Sequence, residues 1–451
     1  MTVQRSGVAD AGGPPRRGSP AGLASAAGSS GSLSDPGTTP AGRSARDLAI
    51  RALVEVERGS RANVVVPELL RTSGLAERDR AFVTELVYGT VRMRRACDWL
   101  VERHVHRRLD PEVRCALRLG AYQLAWLATP PHAAVDATVS AVEGPARGLV
   151  NAVLRRVATD VQAGPPAWPD DATRLSYPDW IVEQLSADLG VEAALATLVQ
   201  MNEPAAVTLR PDGYVQDLAS QWVGAAAGAG PGQRVADLCA APGGKSTWMA
   251  YGPGGPHGQH HPDDRDGPED QDRPGASGLV DTGRPALVVA ADIDAGRAGL
   301  TAANAARLSL ANVATVVADA RRPPLRPGGF DRVLVDAPCS GLGVLRRRPD
   351  ARWRVQRGDL PRLAALQRQL LDAALPLVAP GGRLVYSVCT FTLAETAGID
   401  RWLAVQHPHA RAVLPPGAPW ERVGRGARLL PQAAGTDGMF LLVLEVGAER
   451  L

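Results

Sequence analysis

An α/β fold with a mostly parallel sheet, preceded by an all-helical region, is what this sequence predicts, and three observations carry the prediction. Between residues 235 and 388 short apolar runs alternate with helical stretches, the pattern of strands joined by helical crossovers. From Ser44 to residue 160 apolar residues recur at helical spacing instead. The central run from Val235 turns through Gly243-Gly244 and opens a helix at Lys245-Ser246-Thr247. At such a corner, backbone N–H groups approach a ligand closely.

The 451 residues suit two or three domains, and 45% hydrophobic content is ordinary for a soluble protein with real cores. No run is long and apolar enough to span a membrane, and the first forty-odd residues hold no signal-peptide core, so no membrane partner and a cytoplasmic address are expected. Net charge is only +3, but residues 46–160 carry 18 Arg against 14 Asp+Glu, compatible with a nucleic-acid partner. The five cysteines, Cys97, Cys115, Cys239, Cys339 and Cys389, show no C-x-x-C spacing, which disfavours a zinc site and a disulfide framework.

Residues 1–43, rich in Gly, Ser, Pro and Ala, cannot offset the entropy of ordering and are expected to be a disordered tail. Ser44 to Asp47 reads as a helix cap, followed by Ala49, Ala52, Leu53 and Val56 at helical spacing. Asp110-Pro111 starts another helix and residues 148–156 form a last one, so 44–160 is a helical domain. Its arginine clusters (Arg92, Arg94, Arg95; Arg103, Arg107, Arg108; Arg155, Arg156) are either solvated faces or contacts to RNA phosphates. Residues 161–175 read as a Pro/Asp linker, 177–201 as one or two helices, and 216–223 as a helix leading into the central strand. Beyond that strand, further strands are expected at 286–291, 313–318, 332–336 and 383–388, with helices at 297–308 and 360–378. The Gly, Pro, His and Asp of 252–285 read as a disordered insertion in the first crossover, long enough to crowd a ligand entrance. His257, His260, His261, Asp263 and Asp264 there could gather a metal, but the segment offers no fixed geometry and no metal is expected.

Ligands of a parallel sheet bind at the carboxyl ends of its strands. A phosphate-binding loop would need Gly six residues ahead of the lysine of Gly-Lys-Ser, where this chain has Cys239, and G-x-G-x-x-G is absent. Lys245 is the chain's only lysine, which suggests that a compact ammonium is wanted at this corner. Asp292, Asp319 and Asp336 end three successive strands on the ligand edge, the first two placed for ribose hydroxyls and a base amino group; each could instead cap a helix. Cys339 and Cys389 lie just past two neighbouring strands and face one pocket. Carbon 5 of cytosine is a poor nucleophile until something adds to carbon 6, and a thiolate is well suited to add and later leave. One cysteine attacks, and a second thiol or another base helps remove the carbon-5 proton; spacing alone does not say which thiol attacks.

The stretches DLCAAPGGK (237–245), DAPCSGLG (336–343), RRPD (347–350) with Trp353, PGG (380–382) and Cys389-Thr390 together resemble the RNA cytosine-C5 methyltransferases of the Sun/Fmu type. The helical region, with its NAVLRR stretch at 151–156, resembles the NusB-like domain of the branch that acts on bacterial 16S ribosomal RNA, the RsmB family. The resemblance spans residues 45–446 apart from the insertion. It implies a Rossmann-like class I methyltransferase domain (216–451) preceded by an all-helical NusB-like RNA-binding domain (44–160), with 161–215 as linker and shortened RNA-binding subdomain. It implies S-adenosylmethionine as cofactor, lined by Cys239, Ala240, Ala241, Pro242, Gly243, Gly244 and Lys245, with Asp292 on the ribose, Asp319 at adenine and Asp336 near the methyl group and target base. Cys389 would attack carbon 6 and Cys339 would assist release, with Asp336 and Lys245 completing the catalytic set. The implied partner is 16S ribosomal RNA, naked or in an early small-subunit particle, met by a monomer. The alternatives are transfer RNA as substrate, or a non-catalytic RNA-binding factor. Two further departures from the family pattern are the short segment 211–215 and the replacement of Glu-Glu-Asn by Ala394-Glu395-Thr396, with expected loss of a local hydrogen bond.

Overall fold

A computed structural model describes residues 44–127, 129–252, 255–258 and 286–447. The tail and nearly all of the 252–285 insertion, including most of its histidines and aspartates, lie outside them. The chain divides into two compact units at Asp170/Asp171.

The first unit is helical throughout: α1 (Ala45–Glu57), α2 (Ala62–Arg71), α3 (Glu77–Arg92), α4 (Arg94–Glu102), α5 (Pro111–Ala125), α6 (Pro131–Ser140) and α7 (Ala146–Gln162). The expected cap is present, because Ser44 accepts from the Asp47 N–H while Asp47 accepts from the Ser44 N–H. Leu48, Ala49, Ala52 and Leu53 are buried along one face of α1. Arg118 of α5 is buried yet pairs with Glu57 and with Asp98, 2.5 Å away, so its charge is compensated inside the helical core. Arg94 and Arg114 also reach Glu57 at 3.8 and 2.9 Å. Two of the arginines weighed as RNA contacts or solvated faces thus have a different environment: Arg92 is buried and Arg94 is held at this cluster.

The second unit opens with α8 (Asp171–Arg174), α9 (Asp179–Leu189), α10 (Val191–Gln200) and α11 (Leu218–Ala227). This corrects the linker expectation: α7 runs on to Gln162, and Leu175, Tyr177, Ile181, Leu185 and Leu198 pack with Leu342, Leu345 and Phe391 as a core of the second unit. An apolar helix face at 175–201 needs a partner, and the loops past the sheet supply it. The short segment before α11 is a small hairpin, with Leu209 bridged to Val215.

The sheet then follows as β1 (Arg234–Asp237), α12 (Gly244–Ala250), β2 (Leu287–Asp292), α13 (Ala295–Arg307), β3 (Val313–Val317), β4 (Phe330–Asp336), α14 (Asp359–Ala374), β5 (Val378–Val388) and α15 (Ala397–Gln406). The expected strands and helices are all present with ends shifted by a few residues. A closing segment that the βα rhythm does not announce adds β6 (Ala410–Ala412), β7 (Glu421–Val423), β8 (Gly426–Leu429), α16 (Pro431–Ala434) and β9 (Met439–Val446). Strand order is β3-β2-β1-β4-β5-β9-β8-β7, with β6 on β9; β1 to β5 are parallel and β9 runs antiparallel to β5. Val235, Ala236, Val333, Leu334, Leu384 and Val385 are fully buried, as strands covered on both faces must be. The order reverses between β1 and β4, which opens a crevice at their carboxyl ends. At the opposite edge Asn312, just ahead of β3, donates to the carbonyls of Ala250 and Ala286 at 2.7 and 2.8 Å. The two ends of the long α12–β2 connection are thereby held together at the amino edge.

Candidate active site

The β1 strand ends at Asp237, and the following loop stays in register with its neighbours: Leu238 N–H donates to Leu334 and Ala240 N–H to Ala291. Gly243 N–H closes a tight turn onto Ala240 at 2.7 Å, with Gly243 at φ +100°. A side chain there would be strained and would meet Thr301 Cγ2 at 2.9 Å, so only glycine fits. Asp237 is buried with Ser246 Oγ donating to it at 2.6 Å; burial pushes its carboxyl up to about 7, against the pull of that bond.

The first turn of α12 aims Lys245 across the crevice, where Nζ lies 2.7 Å from Asp336 Oδ2. The β4–β5 register sets Asp336 opposite Ser387, whose hydroxyl donates to Oδ1 at 2.6 Å. Burial opposes the Lys245 charge, but the Asp336 carboxylate outweighs it and holds the ammonium above the ordinary lysine range. Just beyond the same two strands, Cys339 Sγ and Cys389 Sγ are 3.3 Å apart. Contact with Cys389 and then burial push the Cys339 thiol well up. Lys245, Asp336, Cys339 and Cys389 therefore form one cluster at the carboxyl ends of β1, β4 and β5.

The residues expected around a cofactor are arranged less uniformly. Asp292 ends β2, is buried, accepts from the Asp294 N–H at 3.1 Å and lies 3.3 Å from Arg297. Asp319 lies past β3 with its carboxylate clasped by its neighbour Arg321 at 2.7 Å. That interaction and the Arg321 N–H hold the carboxyl below the usual range, and no contact joins Asp319 to the cluster. Cys239 contributes backbone shape; its side chain packs on the apolar core beneath, and burial pushes its thiol up. No group of three or more His, Cys, Asp or Glu side chains that could hold a metal occurs among the described residues, and no described helix is long and apolar enough to cross a membrane.

Sequence reasoning passed over several supports. Ser387 precedes Cys389 by two residues, so strand alternation could have found it. Arg210, buried in the 208–216 hairpin, donates to Gly244 O at 2.8 Å, Thr247 Oγ1 at 3.1 Å and Gln216 Oε1 at 3.1 Å, and pairs with Asp212. No local signal marks it. Glu395 carries the opposite lesson to the expected loss of a hydrogen bond: both its oxygens are engaged, and Thr396 donates to Thr392 O at 2.7 Å.

Two family models match the chain, one described as 16S rRNA methyltransferase RsmB/F over residues 279–445 and one as the NusB family over residues 43–159. A ribosomal RNA small subunit methyltransferase B of Thermus thermophilus is 36% identical, covering 88% of this chain and 96% of its own. A putative methyltransferase of Mycobacterium tuberculosis is 34% identical over 89% and 96%. The crystal structure of PH0851 superposes with a TM-score of 0.68 at 21% identity, covering 92% of this chain and 99% of that one, which shows a shared fold.

Proposed function

The chain belongs to the 16S rRNA methyltransferase RsmB/F family, and on that premise we propose that it moves a methyl group from S-adenosylmethionine to carbon 5 of a cytosine in 16S ribosomal RNA through a covalent cysteine adduct. The observation that carries the reading is the pair of sulfurs 3.3 Å apart beside the Lys245–Asp336 ion pair. The glycine turn at 243 and the carboxylate at the end of β2 suit a nucleoside cofactor, which supplies a methyl group on a sulfonium.

Cys389 adds as thiolate to carbon 6 of the flipped-out base, and the electron pair moves to carbon 5, which takes the methyl group. Asp336 faces the polar edge of the base while Lys245 fixes the position of its carboxylate. The carbon-5 proton then leaves to a base, the carbon 5–carbon 6 double bond re-forms, and the Cys389 sulfur departs. Cys339, in contact with that sulfur, assists its departure. The helical unit provides the surface that selects ribosomal RNA.

Denaturing gels with labelled 16S transcript and bisulfite sequencing of the product test the reading. Cys389→Ala is expected to abolish methyl transfer, and Cys339→Ala to trap a protein–RNA adduct. Adducts that survive Cys389→Ala but not Cys339→Ala would reverse the two roles, and loss of neither activity would refute the mechanism.

A further inference from the structure

Glu395 is completely buried between α14 and α15. Its Oε1 accepts from the Ser340 N–H at 2.9 Å and from Gln367 Nε2 at 3.0 Å; its Oε2 accepts from Ser340 Oγ at 2.6 Å and Thr392 Oγ1 at 2.9 Å. All four donors are neutral. A buried carboxylate without a cation is costly unless its lone pairs are filled, and filled in this way its geometry leaves little freedom.

The groups it holds belong to the loops that carry the two thiols. Ser340 follows Cys339, and Ser340 Oγ is also 2.9 Å from Thr390 Oγ1, next to Cys389. Gln367 reaches the carbonyl of Pro338, on the other side of Cys339, at 3.0 Å. Tyr386 OH meets Gln367 Oε1 at 3.0 Å and the Glu395 carbonyl at 2.7 Å, closing the network onto β5.

The two thiols do not depend on this bracket equally. Cys389 directly follows β5, which is laddered to β4 up to Ser387 and to β9 up to Val388. Cys339 sits on a loop whose last ladder bond is the Ala337 N–H to Ser387; beyond that, Gln367 and Glu395 hold its flanks.

We propose that Glu395 is a positioning residue that fixes the Cys339 turn against Cys389, and thereby governs release of methylated RNA rather than methyl transfer. The proposal rests on the assignment of Cys339 to release. Glu395→Gln puts an amide N–H against the donors of Ser340 or Thr392 while nearly preserving volume.

In the full-length protein with labelled 16S transcript, Glu395→Gln should keep its first-turnover methylation close to wild type while steady-state turnover falls roughly ten- to hundredfold. A denaturant-stable adduct should accumulate beside it. A parallel fall of both rates without adduct, or no change in either, overturns the proposal. A second measurement needs no RNA: diamide takes two hydrogens from the Cys339 and Cys389 thiols, forming a disulfide and the reduced hydrazine. Free-thiol counts, with Cys339→Ala as control, should show this pair closing about tenfold more slowly in Glu395→Gln, and an unchanged rate refutes the positioning role. If Cys339→Ala yields no adduct, the release assignment fails, and the thiol measurement still decides on Glu395. If circular dichroism shows Glu395→Gln unfolded, Ser340→Ala, which deletes the bonds to Glu395 Oε2 and Thr390, is put through both measurements with the same expectations.

Discussion

Replacing Arg210 with Met removes a cation buried against the cofactor loop. The Arg210 side chain has no solvent exposure and Asp212 only 10%. Its guanidinium also lies 4.7 Å from the Tyr214 ring centroid and 5.7 Å from that of Trp248. Met retains much of the apolar packing but strands the Asp212 carboxylate and leaves Gly244 O and Thr247 Oγ1 without this donor. Breaking a buried pair by removing one partner costs about 3–5 kcal/mol. At about 2–4 °C per kcal/mol, Arg210→Met should melt about 6–20 °C lower, followed through the fluorescence of Trp248 and the other tryptophans. S-adenosylmethionine affinity by calorimetry should weaken as well, because Gly244 opens α12 beside the expected site. Arg210→Lys keeps a charge but loses the fork and should fall between the two. A Met variant that melts within about 1 °C of wild type would show that the staple contributes under 1 kcal/mol and refute the reasoning.

Lys245→Met leaves Asp336 without its ammonium, so single-turnover methyl transfer with labelled cofactor should drop by about 10²–10³-fold; a drop of less than about threefold would remove the pair from the proposed chemistry. Asp237 carries a testable pH signature. Its folded value near 7 stands above the ordinary 3.8, so the folded state holds the proton more tightly. Its contribution is therefore complete below pH 3.8 and is lost as pH rises through 7, at up to about 1.4 kcal/mol per pH unit and about 4 kcal/mol in all. Asp237→Asn lacks this slope. Urea unfolding from pH 4 to 8 should show wild type losing stability relative to the variant as pH rises, and parallel curves would exclude the effect; Asp437, also pushed up to about 7, is common to both proteins.

Strands β1 to β5 were readable because each is an apolar run with a helical stretch on at least one side. Strand β9 is as apolar, but no crossover helix frames it, so the antiparallel end of the sheet had no local announcement. At the site, Asp336, Cys339 and Cys389 could be named because each ends a strand or follows its end within a few residues, and Lys245 because it opens the helix after the glycine turn. Arg210 and Glu395 could not be given their roles. The first meets Gly244 from 34 residues away and the second meets Ser340 from 55, distances over which neither periodicity nor spacing speaks. Asp319 lies two residues past β3, and the neighbouring Arg321, which spacing did not single out, engages its carboxylate.

The Asn312 clamp ties the two described ends of the α12–β2 connection to each other. Because one side chain ties Ala250 to Ala286 at the amino edge, the polypeptide leaves and rejoins the sheet through a closed gate, on the side away from the thiols. With those two residues tied together, the spacing of β1, β2 and β3 at this edge is set by Asn312 and not by the length of chain that joins Ala250 to Ala286 in sequence.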